Sequence, residues 1–161
     1  GAASLVLRTS WVYAMRGHNF LRTMVRLAGE REELRIVDDQ WGAPTWARSI
    51  AEAIAAIVAR AGRDRASIAD AFAGNGGVFH MTATGRTNWH QFATRLLQRI
   101  ANPARRLRSI VPIPSTDYPT PARRPMNSVL DCTRLVRQWG VALPPWELAL
   151  ELAIGDGRAA D

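Results

Sequence analysis

The apolar stripes of residues 46–61 and 89–100 constrain this chain most. Trp46, Ile50, Ile54, Ile57, Val58 and Ala61 recur at helical spacing, and so do Trp89, Phe92, Ala93, Leu96, Leu97 and Ile100. Steps of three and four put each set on one helix face, and such a face has to be buried against another layer. The segments between such stripes are short and rich in β-branched and aromatic residues. Residues 4–13, Ser-Leu-Val-Leu-Arg-Thr-Ser-Trp-Val-Tyr, read as one strand, and Gly77 to Ala83 as another. Strands and helices alternate, so the expected class is α/β. Three or so strands against five helices is too little sheet to stand alone. The pattern therefore reads as part of a larger sheet, with residues 1–161 as a single segment.

The remaining elements follow from turn and cap chemistry. Asn19 is expected to cap a helix running to about Glu33, with Phe20, Met24, Leu27 and Ala28 inward, followed by a strand at Arg35 to Val37. Thr45 and Thr87 are expected to cap the two striped helices, and Gly62 to stop the first. Residues 62–77 lose the stripe and end in Gly74-Asn75-Gly76-Gly77. They read as a mobile loop holding one short helix near Ile68–Phe72. Residues 109–125 carry so many prolines that neither a regular helix nor a central strand fits. Asp131 is expected to cap a helix through Trp139 that Gly140 closes, and Pro145 to open a last helix through about Ile154. Gly155 onward reads as a frayed tail.

Composition excludes several chemistries. All 21 basic residues are arginine, so Schiff-base lysines, phosphate-loop lysines and Tyr-x-x-x-Lys pairs are absent. The net charge of +7 favours anionic partners such as phosphorylated metabolites. The arginines are nevertheless scattered over every element and no nucleic-acid-binding motif occurs, so a nucleic-acid partner is not expected. One cysteine, Cys132, precludes an intrachain disulfide, and a reducing cytoplasm is the expected compartment. No apolar run approaches the roughly 18–20 residues that span a bilayer, so no membrane association is expected. The start, Gly1-Ala2-Ala3-Ser4, has neither a Met nor a basic region before an apolar core, and reads as a processed or truncated end rather than a secretory signal.

Four segments occur in a telling order. They are Leu7-Arg-Thr-Ser-Trp-Val-Tyr13, Val37-Asp-Asp-Gln-Trp-Gly-Ala-Pro-Thr45, the proline-rich run Val111 to Pro125, and Asn127-Ser-Val-Leu-Asp131. Together with Pro144-Pro145-Trp146 they resemble the C-terminal half of the dTDP-4-dehydrorhamnose reductases, members of the extended short-chain dehydrogenase/reductase family. The resemblance runs from about Leu5 to Ile154. It implies a Rossmann-like fold whose other half carries a glycine-rich nucleotide turn. It implies an enzyme in which NADPH delivers hydride to C4 of dTDP-4-dehydro-L-rhamnose and a Tyr-x-x-x-Lys pair supplies the proton. Here the residues four places after Tyr13 and Tyr118 are Gly17 and Ala122, and the glycines at 74, 76 and 77 precede a strand rather than follow one. The expectation is therefore a sugar-nucleotide-binding segment that is inactive alone.

The resemblance assigns substrate contacts to four residues. Trp11 stands where the family contacts the deoxysugar, and an indole face suits the sugar's apolar side. Asn19, at a helix start, stands where an anion could meet free N–H groups. Arg123 and Arg124 lie in the proline-fixed loop, where a guanidinium could fork onto a diphosphate. Adjacent residues in an extended segment point oppositely, so one of the two is expected to meet phosphate. Gly42, Pro44 and Thr45 are expected to shape the chain, not to touch substrate. Some relatives bridge a dimer through a metal held by an acidic residue three places after that threonine; Arg48 stands there, so no bound metal is expected. His18, His80 and His90 share no ligand spacing.

A second reading is a non-catalytic binding protein on the same scaffold, like the regulatory subunit of methionine adenosyltransferase, which resembles this family. In either case the sheet face that the other half would cover is expected to drive association, as a homodimer or with a companion segment.

Overall fold

The computed structural model describes residues 4–100, 106–122 and 124–158. The fold is α/β. The elements run β1 (Leu5–Arg8), β2 (Val12–Tyr13), α1 (Phe20–Glu30), β3 (Glu33–Val37), β4 (Trp41–Gly42), β5 (Thr45–Trp46), α2 (Ala47–Ala61), α3 (Arg65–Asn75), β6 (Gly77–His80), β7 (Thr87–Asn88), α4 (Trp89–Arg99), β8 (Ser109–Ile113), α5 (Thr133–Trp139) and α6 (Trp146–Arg158), with one 3₁₀ turn at Ser115–Asp117. No helix among the described residues is long and apolar enough to cross a membrane.

The strands form four two-stranded pieces. β1 pairs with β6, β2 with β5 and β3 with β8, all parallel, while β4 and β7 are antiparallel. Pro112 pairs with Ile36 inside β8, which is tolerable because β8 is an edge strand whose exposed proline needs no donor on its open side. Two cores result. The larger gathers Tyr13, Leu21, Met24, Phe92, Leu96 and Leu150 from β2, α1, α4 and α6. The smaller gathers Ile57, Phe79, Leu135 and Trp139 from α2, β6 and α5.

Several sequence expectations need correction. The strand expected over 4–13 is broken, because Trp11 takes φ +51 and a left-handed residue ends the pleat. β1 and β2 then join different partners. Helix α1 ends at Glu30, and Glu33–Val37 is claimed by a five-residue register with β8. The loop expected over 62–77 is largely α3. Asp64 and Ser67 form a reciprocal capping box, and Ala71 and Phe72 rest on the smaller core without making a full stripe. Thr45 caps nothing: its hydroxyl donates to the Ala43 carbonyl and accepts from Ala83 N–H, so it locks β5 to the chain after β6. Asn88, not Thr87, caps α4, with Oδ1 accepting from Gln91 N at 2.7 Å. Asp131 lies one residue before the cap position of α5 and accepts from Thr133 N, while Cys132 is the cap residue itself. The tail expected to fray from Gly155 is helical to Arg158.

On β1 and β6 the paired residues Val6 and Val78 face outward, 48% and 41% exposed. The outer edge of β6 is covered by Arg134, whose guanidinium donates to the carbonyls of Val78 and Gly76 and lies over the Phe79 ring. Among the described residues β1 has no strand partner other than β6.

Candidate functional site

The site is organised around β4. Trp41 N donates to Met126 O, and Ser128 N to Trp41 O, both at 2.8 Å, so the 124–128 segment is tied to this two-residue strand. On its other side β4 pairs with β7, Gly42 opposite Thr87 and Trp41 opposite Asn88. Two residues after Thr87 comes Trp89, the first residue of α4. Just upstream of β4, Asp39 Oδ2 accepts from both the N–H and the hydroxyl of Ser115, each at 2.9 Å, and so anchors the start of the proline-rich segment.

A cavity of about 670 Å³ opens beside this hub, between α1, the β3–β8 pair and the 117–124 segment. That volume falls within the usual ~300–1,000 Å³ of small-molecule sites. Phe20 and Trp89 form its aromatic wall, with ring centroids 4.5 Å apart, and Tyr118 stands at the mouth, 60% exposed. Three arginines border it. Arg35 lies 3.6 Å from Asp117, whereas the guanidinium groups of Arg31 and Arg124 form no ion pair or hydrogen bond within the described residues. Two uncommitted guanidinium groups at one mouth attract an anion.

The site residues read from sequence do not all reach this cavity. Arg124 lines it directly. Arg123 lies outside the described residues. Asn19 does not reach it: Oδ1 caps α1 at Arg22 N (3.2 Å), and Nδ2 donates to the carbonyls of Ala14 (2.9 Å) and Arg16 (3.0 Å). Both amide protons are thus spent on its own chain, and its product is the placement of Phe20. Trp11 lies behind Trp89, stacked at 3.5 Å between centroids and 8° between planes. A Cβ on Gly42 would come within 2.8 Å of both Cζ2 and Cδ2 of the Trp11 indole. The Trp11 faces are therefore occupied, and what remains is its edge, where Nε1–H has no partner within the described residues.

Sequence reasoning missed Phe20, Trp89, Tyr118, Arg31 and Arg35. By helical spacing alone Phe20 and Trp89 fall on core stripes. The available signal was an aromatic at the first position of two different helices.

Other groups are committed to structure. Burial pushes the Tyr13 phenol well above its ordinary range, and its hydroxyl is buried without a partner among the described residues. His80 bonds the Asp131 carbonyl and His90 faces the Ile110 carbonyl. Cys132 Sγ sits 3.4 Å from Thr82 N. Arg48 pairs with Glu52 at 3.0 Å and with Asp156 on α6. The glycine run at 74–77 joins a helix to a strand, and Gly76 is needed because a Cβ there would strike the Phe72 and Ser4 carbonyls. That is a packing turn, and it does not fit a dinucleotide phosphate.

Comparison with known proteins decides the family. The model of the RmlD substrate binding domain matches residues 1–158. The chain belongs to the RmlD substrate binding domain family. Within this family it is 52% identical over 160 residues to a dTDP-4-dehydrorhamnose reductase of Burkholderia thailandensis, covering 97% of this chain and 52% of that relative. A reductase of the same name from Escherichia coli K12 is 38% identical over 157 residues, 96% of this chain and 50% of the relative. Among solved structures, a dTDP-4-dehydrorhamnose reductase from Clostridium acetobutylicum superposes with a TM-score of 0.79 at 27% identity, over 96% of this chain and 49% of that one. The Bacillus anthracis reductase in complex with NADP gives 0.77 at 28%, over 94% and 48%. The chain spans about half the length of the curated relatives it matches. The Rossmann-like α/β class expected from the sequence is that of these reductases.

Proposed function

We propose that this chain is the sugar-nucleotide-binding portion of an NADPH-dependent reductase that forms dTDP-L-rhamnose from dTDP-4-dehydro-L-rhamnose in the cytoplasm. The supporting observation is the family's relation to reductases of that name, joined to a cavity of nucleotide size bordered by Arg31 and Arg124, whose guanidinium groups have no ion-pair partner within the described residues. The cavity takes the deoxythymidine. Arg124, with Arg31, balances the diphosphate by charge-assisted hydrogen bonds. Trp11 meets the deoxysugar, and Asn19 fixes the turn and the helix start that shape the aromatic wall. NADPH and a Tyr-x-x-x-Lys proton donor are assigned to residues beyond this chain, which alone is inactive.

The test is a titration with dTDP-L-rhamnose followed by tryptophan fluorescence. Saturable quenching is expected, and Trp11→Ala should abolish it. A folded chain that gives no saturable response refutes the assignment.

The outward Val6 and Val78 on a pair with an open β1 edge support a further part of this reading, association through that face. Sedimentation velocity should show self-association that Val6→Asp weakens. A strictly monomeric chain that binds no hydrophobic dye refutes it.

A further inference from the structure

The cavity and the deoxysugar position are joined through one residue that the functional reading leaves without a role. Trp89 lines the cavity with Phe20 and, on the same ring system, stacks on Trp11 at 3.5 Å. Gly42 approaches the Trp11 indole so closely that a Cβ would not fit. The two sides of this slot are not independent, because Gly42 pairs with Thr87 across β4–β7, two residues before Trp89. The Trp11 backbone is held as well: it sits at φ +51, and its carbonyl accepts from Thr45 N at 3.1 Å. An indole held in such a slot has no free face for sugar C–H groups. It can present an edge, and this edge carries an N–H donor that has no partner within the described residues.

We propose that Trp89 is a positioning residue for Trp11, holding the indole with Gly42 so that its edge and Nε1–H, not its face, meet an oxygen of the ligand's sugar. This rests on the sugar-nucleotide reading above. Because Trp89 also borders the nucleotide cavity, the preference for a sugar-bearing nucleotide over the bare diphosphate depends on it, although it lies behind the residue that makes the contact.

The experiment is calorimetric titration of the chain with dTDP and with dTDP-L-rhamnose. The parent should prefer the sugar nucleotide. Trp89→Leu and Trp11→Phe should each cut that preference by about fivefold, the worth of one aromatic pair, and together should cut it no further. Trp89→Phe, which keeps a ring in the slot, should restore most of it. The proposal is overturned if Trp89→Leu weakens both ligands by the same factor, which is what a mere cavity wall would do, or if the two substitutions add. Should Trp89→Leu fail to fold by circular dichroism, the ringless but longer Trp89→Met takes its place in the cycle with Trp11→Phe, with additivity again overturning the proposal. A parent that binds both ligands without preference sinks the positioning role alone. A folded parent that binds neither sinks the functional reading and the positioning role with it.

Discussion

Replacing Gly42 by alanine adds one methyl group, and the structure says where it goes. The new Cβ would lie 2.7 Å from Cζ2 and 2.8 Å from Cδ2 of Trp11, well inside contact distance. Gly42 cannot retreat without breaking its pairing with Thr87, and Trp11 cannot yield without leaving Trp89. Overpacking of this kind costs about 1–3 kcal/mol, and loss of the indole stack about 0.5–1.5 kcal/mol more. The expected destabilisation is about 2–4 kcal/mol. For a domain of this size that lowers the melting temperature by roughly 5–10 °C. Urea denaturation followed by far-UV circular dichroism measures it, with Gly74→Ala as comparison. Gly74 lies in α3 with open space around a Cβ, so alanine there should stabilise by about 0.5–1 kcal/mol. If Gly42→Ala stayed within about 0.5 kcal/mol of the parent, the slot around Trp11 would not be tight and the reasoning would fail.

Three further outcomes are expected. Tyr13→Phe should be neutral or stabilising by up to about 1 kcal/mol, since it removes a buried hydroxyl that has no partner among the described residues; a larger loss in urea denaturation would reveal one. Arg124→Ala should weaken dTDP binding by roughly tenfold or more at low salt and flatten its salt dependence, as loss of a charge-assisted bond does; a change under about threefold would place the phosphates elsewhere. Hydrogen bonds from the Ser67 backbone and hydroxyl hold the Asp64 carboxyl below its usual range, and those from Thr133 do the same for Asp131. With folded values depressed, the unfolded chain binds more protons in acid. The stabilisation is therefore full above the ordinary carboxylate range and is lost as pH falls through the folded values. Melting temperature measured from about pH 6 down to pH 2 should fall, and less steeply in Asp64→Asn/Asp131→Asn; an unchanged slope would contradict these hydrogen bonds.

How much was legible follows from which interactions are local. Helices α2, α4 and α5 stood in the sequence because their stripes, and the stops at Gly62 and Gly140, are local codes. Helix α3 is hidden from sequence because its contact with the smaller core is narrow, and its Asp64–Ser67 box lies where the apolar pattern gives no prompt. The motif residues were legible as a set, but their parts were not. Thr45 looked like a helix cap and serves as a buried clamp on Ala83, 38 residues away.

By itself the sequence determined the α/β class, the main helices and the motif order that matches the family, since periodicity and turn chemistry are written within a few residues of where they act. It also set, through a complete lack of lysine, what chemistry the chain does not carry. Only the tertiary structure decided that Asn19 is spent on its own turn, that Arg124 opens onto a cavity shared with Arg31, and that Trp11 lies between Gly42 and Trp89. The last two depend on pairing between strands distant in sequence, above all β4 with β7 and β3 with β8. No local pattern encodes which two-residue strand meets which, so the faces and edges left for a ligand emerge only once those pairs have formed.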